Sequence, residues 1–284
     1  MENIRYDIVD HVGWVTLDQP EKLNALTWGA WAEIESVVAE ANDDDNVKCL
    51  VFTGEGRGFS SGTDLTNRTT EADWHPRPYT GRALKYRTRY RATATIYHCI
   101  KPTIAAVNGV AAGAGFSLAL SCDMRIAKEG ARLSAIFARR GIVPEACSSW
   151  FLPRLVGVSQ ALEWCMTGRI FDAQEALRGG LVRSVHPQGE LIDTARGLAR
   201  EIGDNTSAVS IAMTRAMLWR VPPGAHPMEA HKVDSRAIYR LSKAADAKEG
   251  VQSFLEKRSP DFPLRVSRDM PDFYPWWGAE PDYE

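Results

Sequence analysis

The sequence predicts an α/β chain with a helical C-terminal region, and three observations carry that reading. Short β-rich apolar runs at residues 5–9, 12–17, 47–53, 103–107 and 123–127 are bounded by turn residues. Apolar residues at helical spacing separate several of them. From residue 159 onward, helical patterns follow one another over 159–166, 173–178, 192–202, 208–218 and 228–241.

Taken in order, the runs 5–9 and 12–17 flank Asp10-His11 and read as a hairpin, ended by Asp18-Gln19-Pro20-Glu21. Thr27 stands where an N-cap belongs, ahead of Trp28, Trp31, Ile34 and Ala41. A polar break at 42–46 precedes a buried strand over 47–53 and a glycine-rich turn over 54–58. Residues 66–81 are polar, carry Trp74, His75 and Tyr79, and read as an irregular loop able to cover a pocket. From Leu84 a helical stripe of Tyr86, Tyr90, Thr93, Tyr97 and Ile100 begins, with Arg82, Lys85, Arg87, Arg89 and Arg91 mostly off it. A strand over 103–107, a helix over 114–121 and a strand over 123–127 follow, and a further helix is expected to begin at Glu145. Asp246-Ala247-Lys248-Glu249 resembles a capping box opening a last helix to Lys257. After Ser259 the chain turns to Pro, aromatic and acidic residues and reads as an extended arm. The expected organisation is a core over 1–200, a helical region over 201–258 and a tail over 259–284.

Bulk properties narrow the function classes. The chain has 284 residues, 44% hydrophobic and 25% charged, with a formal net charge of −2. That balance offers no electrostatic attraction for nucleic acid or an anionic membrane. The small-and-apolar stretch 103–120 is broken by Asn108, Gly109, Gly113 and Gly115, which suits a buried strand-turn-helix rather than a membrane span. Five cysteines, with no C-x-x-C pair, point to a reduced, cytoplasmic protein. No His/Cys/Asp/Glu cluster has metal-ligand spacing, so no metal is expected.

Two segments carry chemistry. Arg57-Gly58-Phe59-Ser60-Ser61-Gly62-Thr63-Asp64-Leu65 follows the strand over 47–53. Ala105-Ala106-Val107-Asn108-Gly109-Val110-Ala111-Ala112-Gly113-Ala114-Gly115-Phe116 is a strand-turn-helix. Small residues at both strand ends let a ligand approach the backbone. The second segment also aims free N–H groups and a helix dipole at that ligand, which favours developing negative charge. Either segment alone is as readily a site of tight packing.

Together they resemble the crotonase (enoyl-CoA hydratase/isomerase) superfamily. Pro20-Glu21-Lys22-Leu23-Asn24-Ala25-Leu26 is similar to that family's N-terminal CoA-side motif. Phe59-Ser60-Ser61-Gly62-Thr63-Asp64-Leu65 and Lys101-Pro102-Thr103-Ile104-Ala105-Ala106-Val107-Asn108-Gly109 with Ala112-Gly113-Ala114-Gly115 are similar to its two oxyanion segments. Ser121-Cys122-Asp123-Met124-Arg125-Ile126-Ala127, Gly141-Ile142-Val143-Pro144-Glu145, Leu152-Pro153-Arg154-Leu155-Val156-Gly157, Glu249-Gly250-Val251 and Phe254-Leu255-Glu256-Lys257-Arg258 follow in the family's order.

The resemblance implies a spiral of ββα turns with a helical C-terminal region that commonly packs on a neighbour in trimers or hexamers. It implies an acyl-CoA thioester substrate, with coenzyme A as part of that substrate and no separate cofactor. The backbone N–H groups of Thr63 and Ala114 match the oxyanion donors. Lys22, Asn24, Ala25, Leu26, Ser61, Gly62, Asp64, Leu65, Gly113, Ser117, Phe137, Trp150, Phe254 and Lys257 are expected to line the acyl-CoA site. The two catalytic glutamates of the family's hydratases fall at Ser117 and Phe137, neither of which can act as a carboxylate base. Glu145 matches the carboxylate of the family's double-bond isomerases. By position alone, Glu145 also reads as a helix N-terminal acid stabilised by the dipole. Three readings follow: an isomerase using Glu145, a hydratase or hydrolase on the same oxyanion site, and a non-catalytic acyl-CoA binder. Asp123 reads as a buried structural acid, and His75 and His98 as lone histidines.

Overall fold

Asp10 and His11 adopt left-handed backbone (φ 51° and 64°) and close the hairpin of β1 (Ile4–Val9) and β2 (Val12–Leu17). Primed two-residue turns of this kind match the twist of the strands they join. The computed structural model describes residues 1–64, 93–221 and 226–278. Leu65, Trp74, His75, Tyr79, Tyr86, Tyr90 and the arginines between 82 and 91 lie outside the described residues.

Beyond the hairpin, the chain deals its strands alternately to two sheets. β3 (Cys49–Gly54), β5 (Thr103–Val107), β7 (Met124–Lys128) and β10 (Val185–His186) extend the first sheet in the order β1-β2-β3-β5-β7-β10. β4 (Gly58–Ser60), β6 (Val110–Ala112), β8 (Arg132–Ser134) and β9 (Phe171–Asp172) form the second. All neighbours are parallel except β1/β2 and β8/β9. From β3 to β8 successive strands alternate between the two sheets, as a ββα spiral requires; β9 then adds to the second sheet and β10 to the first.

The central strands of the first sheet are covered on both faces, so β2, β3 and β5 are buried along their whole length, while the edge strand β1 is largely exposed. Val15, Leu17, Leu50, Phe52, Ala105 and Val107 face a core shared with α1 (Trp28–Asp43), which buries Trp31, Ile34, Val37 and Val38. Their alternates Val12, Trp14, Cys49, Val51, Ile104 and Ala106 pack against Leu191, Ala195 and Ala199 of a later helix. This period-two division is the pleat of the strands. Thr27 caps α1 as expected, its hydroxyl accepting from the Ala30 N–H at 3.0 Å.

Among the described residues, further helices follow α1. They are α2 (Ala114–Ser121), α3 (Ser148–Val156), α4 (Val158–Thr167), α5 (Ala173–Arg178), α6 (Leu191–Asn205), α7 (Ala208–Arg220) and α8 (Pro227–Leu241). The last helix, α9 (Ala245–Glu256), starts at an Ala244 N-cap with no side-chain cap bond, so the expected capping box does not form. Its Asp246 instead accepts from the Leu264 N–H at 3.0 Å, tying the arm back to the helix. Residues 259–278 form neither helix nor strand. Among the described residues, no helix is long and apolar enough to cross a membrane.

Candidate active site

The site is built where the end of β4 meets the start of α2. After Ser60 the chain is laced to the 20–26 segment by backbone bonds: Ser61 N–H to Leu23 O (2.9 Å), Leu26 N–H to Gly62 O (2.7 Å) and Asp64 N–H to Leu26 O (3.1 Å). The Ser61 hydroxyl adds a bond to Lys22 O at 3.2 Å. Lys22 also reaches the buried Asp64 carboxylate at 3.3 Å. Lys22, Asn24, Ala25, Leu26, Ser61, Gly62 and Asp64 are therefore one neighbourhood. Asn24 works inward: its amide donates to Glu55 O (3.0 Å) and Gly58 O (2.7 Å) and holds the turn that leads into β4.

A planar trans peptide points its N–H opposite to its C=O. The Gly62 carbonyl faces Leu26, so the Thr63 N–H is directed away from Leu26. On Gly62, which sits at φ +99°, a Cβ would lie 2.7 Å from Ala112 O and 3.3 Å from Ala114 N. The peptides 62–63 and 113–114 thus stand against each other, and only glycine permits that approach. Ala114 is the first residue of α2, where helical N–H groups have no intrahelical acceptor. Among the described residues, neither the Thr63 nor the Ala114 N–H has an acceptor. On the other side of α2, a Cβ on Gly115 would fall 2.5 Å from both Cβ and O of Ser60, so the helix is seated directly on β4.

Glu145 arrives from the opposite side. Its Oε1 lies 3.5 Å from the Thr63 hydroxyl, at the outer limit of a hydrogen bond. Backbone donation leaves the Thr63 side chain without a task in the sequence reading; here it faces the carboxylate. The expected helix start at Glu145 is corrected: α3 begins at Ser148, and Ala146 and Cys147 carry φ of 51° and 59°. Two successive non-glycine residues in left-handed backbone cost roughly 1–3 kcal/mol each and need surrounding bonds to hold them. Those bonds converge on the Glu145 carbonyl, which accepts from Ser148 N–H (3.0 Å), the Ser148 hydroxyl (2.7 Å) and the Ser117 hydroxyl (3.2 Å). Glu145 is half-buried in a turn ahead of the helix rather than in its first turn.

Ser117 and Phe137 are fully buried. Ser117 spends its hydroxyl on backbone carbonyls, and Phe137 belongs to the central core cluster. Trp150 joins an aromatic group, with Tyr97 at 5.5 Å, Phe151 at 4.9 Å and Trp219 stacked at 5.8 Å. The Arg154 guanidinium lies 3.8 Å over its ring. Phe254 and Lys257 stand at the end of α9, and Phe254 is 81% exposed. Among the described residues, no hydrogen bond, ion pair or ring contact joins either to the loops at 62–64 or 112–114. His98 is not alone: its Nδ1 accepts from Arg220 at 2.6 Å.

Three contributors were not singled out in the sequence. Asn108 bonds Gly54 O at 2.7 Å and fixes the same turn as Asn24; an Asn between a strand end and Gly109 was the available signal. Ser148 holds the Glu145 carbonyl, and nothing in its sequence surroundings marks it. Gly115 seats α2, and the Gly113-Ala114-Gly115 spacing hinted at close approach.

A family model described as enoyl-CoA hydratase/isomerase matches residues 7–265. Among curated relatives, the enoyl-CoA hydratase AFT3-1 of Alternaria alternata is 38% identical over 92% of this chain and 86% of its own. The 1,2-epoxyphenylacetyl-CoA isomerase of Escherichia coli K12 is 33% identical over 92% of this chain and 98% of its own. Among solved structures, the enoyl-CoA hydratase of Bacillus anthracis superposes with a TM-score of 0.84 at 29% identity, covering 92% of this chain and 99% of that one.

Proposed function

Because the chain belongs to the enoyl-CoA hydratase/isomerase family of enzymes acting on CoA thioesters, we propose that it shifts a double bond along an acyl-CoA by proton transfer through Glu145. In this reading a 3-enoyl thioester binds with its carbonyl oxygen against the Thr63 and Ala114 N–H groups. The Glu145 carboxylate removes a proton from the α-carbon. The electron pair delocalises into the thioester, whose oxygen becomes an enolate oxyanion. Glu145 then returns the proton at the γ-carbon, leaving the 2-enoyl ester. Fixed donors aimed at developing charge contribute several kcal/mol, about 3 for a single donor.

The observation that carries the reading is the Thr63–Glu145 contact at 3.5 Å. It supports the reading because Glu145, the carboxylate that matches the family's isomerases, stands beside the loop whose Thr63 N–H is proposed as one donor. A single acid serving both carbons requires no held water, which suits a site whose two hydratase positions are Ser117 and Phe137.

The test supplies 3-enoyl-CoA and 2-enoyl-CoA to wild type and Glu145→Gln. Wild type should convert the 3-enoyl ester and exchange its α-protons with deuterated water, and Glu145→Gln should lose about 10²–10⁴ of that rate. Rapid hydration of the 2-enoyl ester that survives Glu145→Gln would defeat the isomerase reading. Hydration with Glu145 holding water is the second reading, favoured by the hydratase name of the 38%-identical relative. Binding of acyl-CoA with no α-exchange at all would leave a non-catalytic binder.

The assembly proposed with this function is a homotrimer or hexamer. Support comes from Ile238 and Tyr239 on α8 and Val251, Phe254 and Leu255 on α9, all 62–81% exposed. A single chain that leaves such a patch in water has a surface suited to another copy.

A further inference from the structure

Ser117 sits where the family's hydratases carry a glutamate, yet its side chain is fully buried and faces two backbone carbonyls. We propose that Ser117 is a positioning residue that couples the oxyanion donor to the base: its single hydroxyl proton is shared, in a three-centre hydrogen bond, between the carbonyl of the Gly113–Ala114 peptide and that of Glu145. The inference rests on the assignment of Glu145 as base and of the Ala114 N–H as donor.

The geometry has two halves. Ser117 Oγ lies 3.2 Å from Gly113 O, which also accepts the Ser117 N–H at 3.0 Å. Gly113 O and the Ala114 N–H belong to one planar peptide, so fixing the carbonyl fixes the direction of the N–H. Hydrogen bonds accepted at the carbonyl also polarise the amide and strengthen what its N–H donates. In the other half, the same Oγ lies 3.2 Å from Glu145 O. Glu145 is followed by the left-handed pair Ala146 and Cys147, so its backbone is held by tertiary bonds rather than by helix geometry. Its carbonyl takes one bond from Ser117 and two from Ser148. Ser148 makes no bond to Gly113, which separates the two serines: Ser148 touches the base segment alone, and Ser117 touches both.

That asymmetry supplies the experiment. Ser117→Ala, Ser148→Ala and Glu145→Gln are each compared with wild type in steady-state isomerisation. The infrared carbonyl stretch of a bound saturated acyl-CoA, labelled with carbon-13 at the thioester carbon, is measured on each. The stretch reads the oxyanion donors without any turnover. Ser117→Ala should lower kcat by about 10- to 100-fold with little change in KM. It should also reduce the downshift of the bound carbonyl. Ser148→Ala should lower kcat and leave the carbonyl downshift at the wild-type value. A Ser117→Ala protein with the wild-type carbonyl frequency, or one matching Ser148→Ala in both readouts, would overturn the proposal. Wild-type turnover by Glu145→Gln would instead remove the base assignment, and the infrared comparison would still decide whether Ser117 orients the Ala114 donor. If Ser117→Ala does not fold, Ser117→Cys, close in volume and a weaker donor, is read in the same two ways.

Discussion

Glu145 shows how a side chain's role depends on the backbone that carries it. In a first helical turn it would be an acid stabilised by the dipole. Placed instead before Ala146 and Cys147, both with positive φ, it points to Thr63 and is held through its carbonyl by Ser117 and Ser148. Gly62 is held to glycine by its surroundings: Gly62→Ala adds a Cβ 2.7 Å from Ala112 O at φ +99° and should abolish α-proton exchange while acyl-CoA binding, read by calorimetry, weakens less. The cysteines provide an independent check at this scale. All five are free thiols. Burial pushes the Cys99 thiol up to about 11 and those of Cys49 and Cys122 well above their usual range. Native alkylation at pH 8 followed by peptide mass mapping should therefore label the half-buried Cys147 and Cys165 first and leave Cys49, Cys99 and Cys122 until denaturant is added. Early labelling of Cys99 would show that the core around α1 opens.

Helix α2 connects residue chemistry to the fold. It is buried along its whole length and seated on Ser60 through Gly115, so the Ala114 N–H is set by a strand–helix contact. Gly115→Ala forces a methyl to within 2.5 Å of Ser60 and should destabilise by about 1–3 kcal/mol through overpacking, read as a lowered urea midpoint. Its kcat should fall with it if the Ala114 N–H acts as the proposed donor, because that N–H moves. Helix α7, whose Trp219 stacks on Trp150, is anchored through Asp123. Asp123 accepts from Thr103 N–H (2.8 Å), the Arg215 Nε (2.8 Å) and the Trp219 indole (2.7 Å). Three more Arg215 N–H donors go to the carbonyls of Ile96, Tyr97 and Cys99. Asp123→Ala leaves a buried guanidinium without its carboxylate and should cost about 3–5 kcal/mol in chemical denaturation. A change below 1 kcal/mol would mean that α7 is held by its apolar face alone.

At the scale of the whole molecule, the spiral places two distant loops side by side and leaves the C-terminal helices partly unpartnered. Sedimentation velocity should find three or six copies at micromolar concentration, and Phe254→Asp with Leu255→Asp should shift the population toward monomer. A wild-type monomer under those conditions would require α8 and α9 to carry their exposed apolar residues for another partner. The arm past residue 258 is fastened by Ser267 to Asp45 (2.6 Å) and by Arg220 lying 4.1 Å over Trp277 and 4.5 Å over Tyr97. That route ends on the aromatic group containing Trp150, five residues from Glu145. A chain ending at residue 265 should accordingly melt several degrees lower than the full chain, measured by calorimetry.

Local pattern was enough for much of this. Apolar runs, Thr27 as a cap, the glycine-bearing loops at 58–64 and 109–115 and the ordered motifs around them all depend on neighbours in sequence, so five strands of the first sheet, most helices and the family resemblance were readable from the chain alone; β10 and the short strands of the second sheet, two to three residues each, carry too little local pattern to be read that way. The tertiary structure decided what depends on residues far apart. Only folding brings the Thr63 hydroxyl to Glu145, 82 positions away, and Arg215 to Asp123, 92 positions away. The left-handed turn after Glu145 and the double grip of Ser117 were equally hidden, because a short polar side chain in a helix looks the same whether it faces water or two buried carbonyls. Periodicity reports which face of an element is apolar; the partner across that face is set by how the whole chain winds.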